Sequence, residues 1–140
     1  MKQKKVIGYT AGVYDLFHIG HLNIFKNAKK YCNYLIVGVN TDELVQTYKS
    51  RKPIVPLEQR IEIVKAIKYV NKTEVQDSLD RLTPAIKHKA SVVFIGSDWQ
   101  NSERWTENEK ILKEHNIKVV FLPNTQGVST TDLIKKVRAN

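Results

Sequence analysis

The densest group of chemically capable side chains is GVYDLFHIGH, residues 12–21, with His18 and His21 three apart, Asp15 ahead of them, and Gly12 and Gly20. VIGYT (6–10) reads as a buried strand, and LNIFKNAKKY (22–31) carries apolar residues at helical spacing, which predicts a strand-to-helix turn between them. A helix beginning near Phe17 or His18 offers unpaired N–H groups and the positive end of its dipole, both of which favour an anion. His18 and His21, one turn apart, share a face and can aim ring N–H donors at one phosphate. Glycine at 12 and 20 removes side chains where backbone must approach a ligand or another element. The competing reading is that the histidines merely cap the helix. It would be preferred for a lone histidine, but two behind a strand, with Asp15 before them, favour a functional turn.

A second cluster, NTQGVSTT (124–131), follows the last apolar run and opens the last amphipathic one. Its hydroxyls (Ser129, Thr130, Thr131) and the helix start form another candidate phosphate cradle, although alone Ser129 or Thr130 would be an ordinary N-cap. GSDW (96–99) puts Asp98 just past a strand, where a carboxylate can accept from an amino group of a base; Trp99 and Trp105 read as core cover. Two cradles at strand ends suggest one triphosphate held between them.

The elements that must position these groups alternate. After the first strand and helix come YLIVGVN (34–40) as a strand, TDELVQTY (41–48) as a short helix, the loop KSRKPIVP (49–56), and LEQRIEIVKAIKYV (57–70) as a helix with Leu57, Ile61, Val64 and Ile67 on one face. KTEVQ (72–76) reads as a strand, and Thr83 before Pro84 predicts an N-cap and first helical residue. Then follow a strand (91–98), a helix (107–115), a strand (117–123) and a closing helix (129–139). This order predicts an α/β fold, a doubly wound, mainly parallel sheet in one domain over residues 1–140, with ligands at the carboxyl ends of its strands.

Lys and Arg number 23 against 14 Asp and Glu, a net charge of +9, which points to an anionic partner. Nucleic acid is disfavoured as that partner, since the aromatic and basic residues do not interleave as in single-strand binders. Cys32 is the single cysteine, so no internal disulfide forms and a protein-held metal site is not expected. No stretch approaches the roughly 18 apolar residues of a membrane span. A cytoplasmic protein without a membrane partner is the expectation.

GVYDLFHIGH and TQGVSTT together resemble the nucleotidyltransferase superfamily that carries the H-x-G-H motif. With YLIVGVNTDE, LEQRIEIVKAIKYV and GSDW in register, residues 5–137 are similar to the cytidylyltransferase family, most of all its bacterial branch acting on glycerol 3-phosphate. The resemblance implies a Rossmann-like fold and transfer of CMP from CTP to a small phosphorylated alcohol, releasing pyrophosphate and, for glycerol 3-phosphate, giving CDP-glycerol. It further implies magnesium bound with the nucleotide phosphates, a homodimer, and a role in teichoic-acid or capsule synthesis. Alternatives are an adenylyltransferase or a cytidylyltransferase for phosphocholine or a sugar phosphate.

By resemblance, His18, His21, Lys49 and Arg60 are catalytic. Val13, Tyr14, Arg51, Asp98, Asn124, Thr125, Gly127, Val128, Ser129 and Thr130 join the two histidines in binding the nucleotide. Asp15, Lys49, Lys68 and Arg81 bind the acceptor. NTQGVST stands where the glycerol 3-phosphate enzymes typically read RTEGIST, so Asn124 replaces an arginine whose charge another cation, such as Arg104, is expected to supply. VQDSLDRL lacks the tryptophan usual in the glycerol and choline branches, and choline recognition needs aromatic faces, which ranks phosphocholine below glycerol 3-phosphate.

Overall fold

A computed structural model describes residues 4–97 and 102–140; Asp98 and Trp99 lie outside the described residues. Five strands form one all-parallel sheet: β1 (Ile7–Gly12), β2 (Tyr34–Asn40), β3 (Lys72–Gln76), β4 (Val92–Gly96) and β5 (Lys118–Leu122), in spatial order β3-β2-β1-β4-β5. The chain starts at the centre, winds outward through β2 and β3, and returns to place β4 on the other side of β1. This reversal leaves a crevice at the carboxyl ends of β1 and β4, where open α/β sheets bind ligands. Thr10 Oγ1 of β1 donates to the Phe94 carbonyl of β4 (3.1 Å), closing the floor of that crevice.

Side-chain alternation divides the core between two faces. Leu35, Val37 and Val39 of β2 point into one cluster with Phe25 and Ala28 of α1 (Ile19–Ala28) and Val64 of α3 (Leu57–Lys65). Ile36 of β2, with Val93 and Ile95 of β4, joins the other cluster, under Ala85 of α4 (Leu82–Lys87) and Trp105 and Leu112 of α5 (Glu103–Glu114). Helices on both faces explain why the strands read as continuous apolar runs. The remaining helices are α2 (Asp42–Tyr48), capped by Thr41, and α6 (Thr130–Ala139).

Several helix boundaries differ from the sequence reading, and three are instructive. The helix expected over 57–70 ends at Lys65, and residues 67–70 turn instead, with Ile67 N–H on the Val64 carbonyl and Val70 N–H on that of Ile67. Ile67, Tyr69 and Val70 still pack on the core, so apolar periodicity ran past the helix itself. Thr83 is not the N-cap of α4: the helix starts at Leu82, and Asp80 accepts from the Leu82 and Thr83 N–H groups. Likewise, α5 starts at Glu103 rather than 107, because Ser102 Oγ accepts from Trp105 N–H and sets an earlier cap.

Candidate active site

At the end of β1 the chain enters the turn with Tyr14 and Leu16 at positive φ (56° and 49°), a left-handed conformation uncommon for such residues. Tertiary bonds hold it there. Asp15, 3% exposed, accepts Ile54 N–H (2.8 Å) and Val55 N–H (2.9 Å) on its two carboxylate oxygens, with Arg51 Nη1 3.8 Å away. Arg60, fully buried, donates from Nε to the Val55 carbonyl (2.8 Å), from Nη1 to the Val13 carbonyl (2.7 Å) and from Nη2 to Asp42 Oδ1 (2.5 Å). Asp15 and Arg60 thus clamp the histidine turn and the 51–55 loop against each other.

The turn ends at α1, where the histidines act as a reciprocal cap. His18 Nδ1 accepts from Gly20 N–H (3.0 Å), and His21 Nδ1 accepts from His18 N–H (3.2 Å). Gly20 has no side chain because a Cβ there would stand 2.8 Å from His18 Cε1. An accepting Nδ1 carries no proton, so each neutral ring bears its hydrogen on Nε2. The rings stack with centroids 3.8 Å apart. Burial pushes the His21 imidazolium equilibrium down to about 3, helped by His18 and by Lys49 nearby, and burial lowers His18 as well. Capping therefore fixes the tautomer of both rings, and of the two it is the His21 Nε2–H that stands at the cavity wall without a hydrogen-bond partner among the described residues.

The second cradle packs against the first. Ser129 caps α6 by accepting Asp132 N–H (3.0 Å), and Gly127, at φ 75°, takes the left-handed turn before it. Thr130 Oγ1 donates to the Asp15 carbonyl (2.9 Å) and lies 3.4 Å from His18 Nε2. Asn23 Nδ2 donates to Thr125 Oγ1 (2.9 Å).

Between the cradles lies a cavity of about 510 Å³ at the carboxyl ends of the strands. Its wall carries Lys49, Arg51, Arg81 and Arg104, with Asp15 as its one acidic residue among those described. The field inside therefore favours an anion of several charges. Burial, with Arg51 nearby, shifts the Lys49 ammonium down from its ordinary value, and Asp15 partly opposes the shift. Arg81 is also pushed down by burial; its Nη2 reaches the Ala11 carbonyl (3.4 Å), its guanidinium lies 5.9 Å from the Trp105 ring, and its Nε has no partner.

Of the residues assigned from sequence, Val13, Tyr14, Asp15, His21, Lys49 and Arg51 line the cavity, as do Arg81, Asn124 and Thr130. His18, Thr125, Gly127, Val128 and Ser129 do not line it; His18 and Ser129 cap α1 and α6 instead. Two assignments need correction. Arg60 is a clamp with its guanidinium committed to Val13, Val55 and Asp42, away from the cavity wall. Lys68 is exposed beyond the end of α3 with its ammonium over the Tyr69 ring (5.2 Å), and it does not line the cavity. Asp15 lines the cavity, but its carboxylate is spent on loop backbone rather than free for a ligand. Arg104 lines the same cavity as Asn124. Asn40, Tyr48 and Trp105 line the cavity without having been assigned to the site. For Asn40 the available signal was a lone amide closing an otherwise apolar strand.

The sequence profile of the Cytidylyltransferase-like family matches residues 9–136. The chain belongs to this family. It is 36% identical to a glycerol-3-phosphate cytidylyltransferase of Bacillus spizizenii (strain ATCC 23059 / NRRL B-14472 / W23) over 94% of its own length and 95% of the relative's. It is 31% identical to the glycerol-3-phosphate cytidylyltransferase of Bacillus subtilis (strain 168), over 96% and 97%. In fold it is similar to a lipopolysaccharide core biosynthesis protein from Thermoplasma volcanium GSS1 (TM-score 0.72, 22% identity, 87% of this chain and 98% of that one). It is also similar to a pantoate-beta-alanine ligase from Francisella tularensis (TM-score 0.60, 16% identity, 99% and 71%). The cytidylyltransferase-like chain is thus a nucleotidyltransferase on a parallel Rossmann-like sheet. Among the described residues no helix is long and apolar enough to cross a membrane.

Proposed function

We propose that this cytidylyltransferase transfers CMP from CTP to glycerol 3-phosphate, forming CDP-glycerol and pyrophosphate. The observation that carries the reading is the cavity between two N-terminal helix cradles, walled by four cations and by a half-buried, neutral His21. A phosphate oxygen of the acceptor attacks the α-phosphorus of CTP; the new P–O bond forms as the bond to the β-phosphate breaks, and pyrophosphate leaves. The attacking oxygen is already anionic at pH 7, so no general base has to create it. What the protein supplies is position and charge stabilisation for two anions that repel each other. His21 Nε2–H donates to a phosphoryl oxygen as charge builds, and Lys49 and Arg51 on the loop offset the triphosphate. Arg81 receives the acceptor phosphate, and Asn124, Thr130 and Arg104 border the nucleotide.

Glycerol 3-phosphate is favoured over phosphocholine by Trp105, the one indole on the cavity wall among the described residues, whose ring already faces Arg81 rather than being left for a quaternary ammonium. Magnesium enters this reading with the nucleotide. In this reading the ion is coordinated by phosphate oxygens and water. A cytoplasmic homodimer is part of the reading; exposed Ile63 on α3 and Val75 on edge strand β3 offer apolar surface for the second copy. The test is magnesium-dependent pyrophosphate release with glycerol 3-phosphate and each of four nucleoside triphosphates. CTP should exceed ATP at least about tenfold in kcat/KM, a free-energy difference of about 1.4 kcal/mol; equal or better turnover with ATP contradicts the assignment.

A further inference from the structure

Among the described residues, two buried side-chain polar atoms lack a hydrogen-bond partner, Asn40 Oδ1 and Arg81 Nε, and both residues line the same cavity. One is an acceptor and the other a donor. Buried polar groups are almost always paired, so an orphan of each kind on the wall of one cavity points to a ligand as the source of the missing partners.

Asn40 is the last residue of β2, 3% exposed, and its Nδ2 donates to Tyr48 OH (3.0 Å), which fixes the amide plane. Turning the amide over would exchange its two atoms but still leave one of them unpaired. Tyr48 lines the same cavity as Asn40 and Arg81, which puts the amide, the phenol and the guanidinium around one space. Gln76, the residue beside Asn40 in the β2–β3 register, holds the other side. Its Nε2 donates to the Ser78 (2.6 Å) and Asp80 (2.7 Å) carbonyls and so sets the turn that delivers Arg81.

Resting on the acceptor reading above, we infer that Asn40 is a specificity-determining residue, accepting a hydrogen bond from a free hydroxyl of a phosphorylated polyol whose phosphate is paired with Arg81. The pairing matches chemistry to position: a phosphate oxygen takes the Nε–H of Arg81, and a carbon-bound hydroxyl donates to Asn40 Oδ1. A quaternary ammonium has no hydrogen to give and leaves Oδ1 unpaired. A site built to bond a hydroxyl rejects the analogue that lacks it far more strongly than an apolar pocket rejects a size change.

The experiment compares kcat/KM for glycerol 3-phosphate with that for its two deoxy analogues, 3-hydroxypropyl phosphate and 2-hydroxypropyl phosphate, all with CTP. The wild-type enzyme should prefer glycerol 3-phosphate by about tenfold or more over at least one of them, the scale of one buried hydrogen bond. Asn40→Ala should bring that ratio toward one. A structural role for Asn40 would lower all three substrates together and leave the ratio in place. Asn40→Ser, with a shorter polar group, serves if the alanine variant does not melt cooperatively, and it too should reduce the ratio. Wild-type enzyme that turns over all three acceptors equally, or a folded variant that keeps the wild-type ratio, overturns the inference while leaving CMP transfer intact. Activity with CTP and none of the three acceptors overturns the acceptor reading and this inference with it.

Discussion

His21 carries two functions on two ring nitrogens, and substitution can separate them. Nδ1 closes the cap on His18 N–H, while in the proposed mechanism Nε2–H donates to the phosphoryl oxygens. His21→Ala removes both. Losing the cap costs about 0.5–2 kcal/mol of stability, and losing one positioned donor to the transition state costs about 10²–10³ in kcat, roughly 2.7–4 kcal/mol. His21→Asn keeps an oxygen where Nδ1 stood and offers nothing where Nε2 stood. It should regain most of the lost stability and almost none of the activity. The assays are chemical denaturation and steady-state pyrophosphate release on wild type and both variants. Recovery of activity along with stability in His21→Asn would refute the division of labour, since the histidine would then be a cap alone. A folded His21→Ala enzyme with near-normal kcat would do the same.

Four further outcomes follow from particular contacts. Arg60→Ala strands the Asp42 carboxylate and frees the Val13 and Val55 carbonyls, so it should cost about 3 kcal/mol and lower the melting temperature by about 10 °C; an unchanged melting curve contradicts the clamp. Lys49→Ala should cut kcat by about 10², whereas exposed Lys52→Ala should change it less than about threefold; equal losses in the two variants would reduce Lys49 to part of a general basic field. Asn124→Ala should cost about 0.5–1.5 kcal/mol in kcat/KM and Arg104→Ala about 1.5–3, and an Asn124→Ala enzyme as inactive as His21→Ala would contradict the neutral role given to the amide. Burial holds His21 at about 3 against its ordinary 6.5, so the unfolded chain takes up a proton the native protein refuses. Stability should thus be full above about pH 6.5 and fall on acidification toward about 3, by at most about 1.4 kcal/mol per pH unit from this group. His18, also lowered, adds to the slope. Denaturation midpoints at pH 7.5 and 5 check the sign, and a midpoint that rises at pH 5 contradicts it.

The sheet and the histidine turn were legible because their signals are local: apolar runs of strand length, helical stripes between them, and two histidines at the spacing of one turn. Boundaries were less so, because apolar periodicity does not stop where hydrogen bonding does. Ile67 and Val70 face the core from a turn, and Asp80 caps α4 from outside the segment that reads as helical. Site membership depends on where a long side chain ends. Arg60 and Lys49 are equally basic on the page, yet one is fully buried between Val13, Val55 and Asp42 and the other stands on the cavity wall. Asn40 left only a faint signal for the opposite reason: one amide at a strand end gains meaning only from its bond to Tyr48 and its unpartnered Oδ1 in the wall it shares with Arg81.

The central claim is that this site joins CMP to a phosphorylated alcohol, and the most direct measurement is identification of the products by phosphorus NMR. Purified protein, magnesium, CTP and glycerol 3-phosphate should yield pyrophosphate and a cytidine diphosphate ester of glycerol in equal amounts, with CTP left intact when the acceptor is omitted. Conversion of CTP to CMP and pyrophosphate at the same rate without acceptor, or no change in CTP with it, would contradict the account.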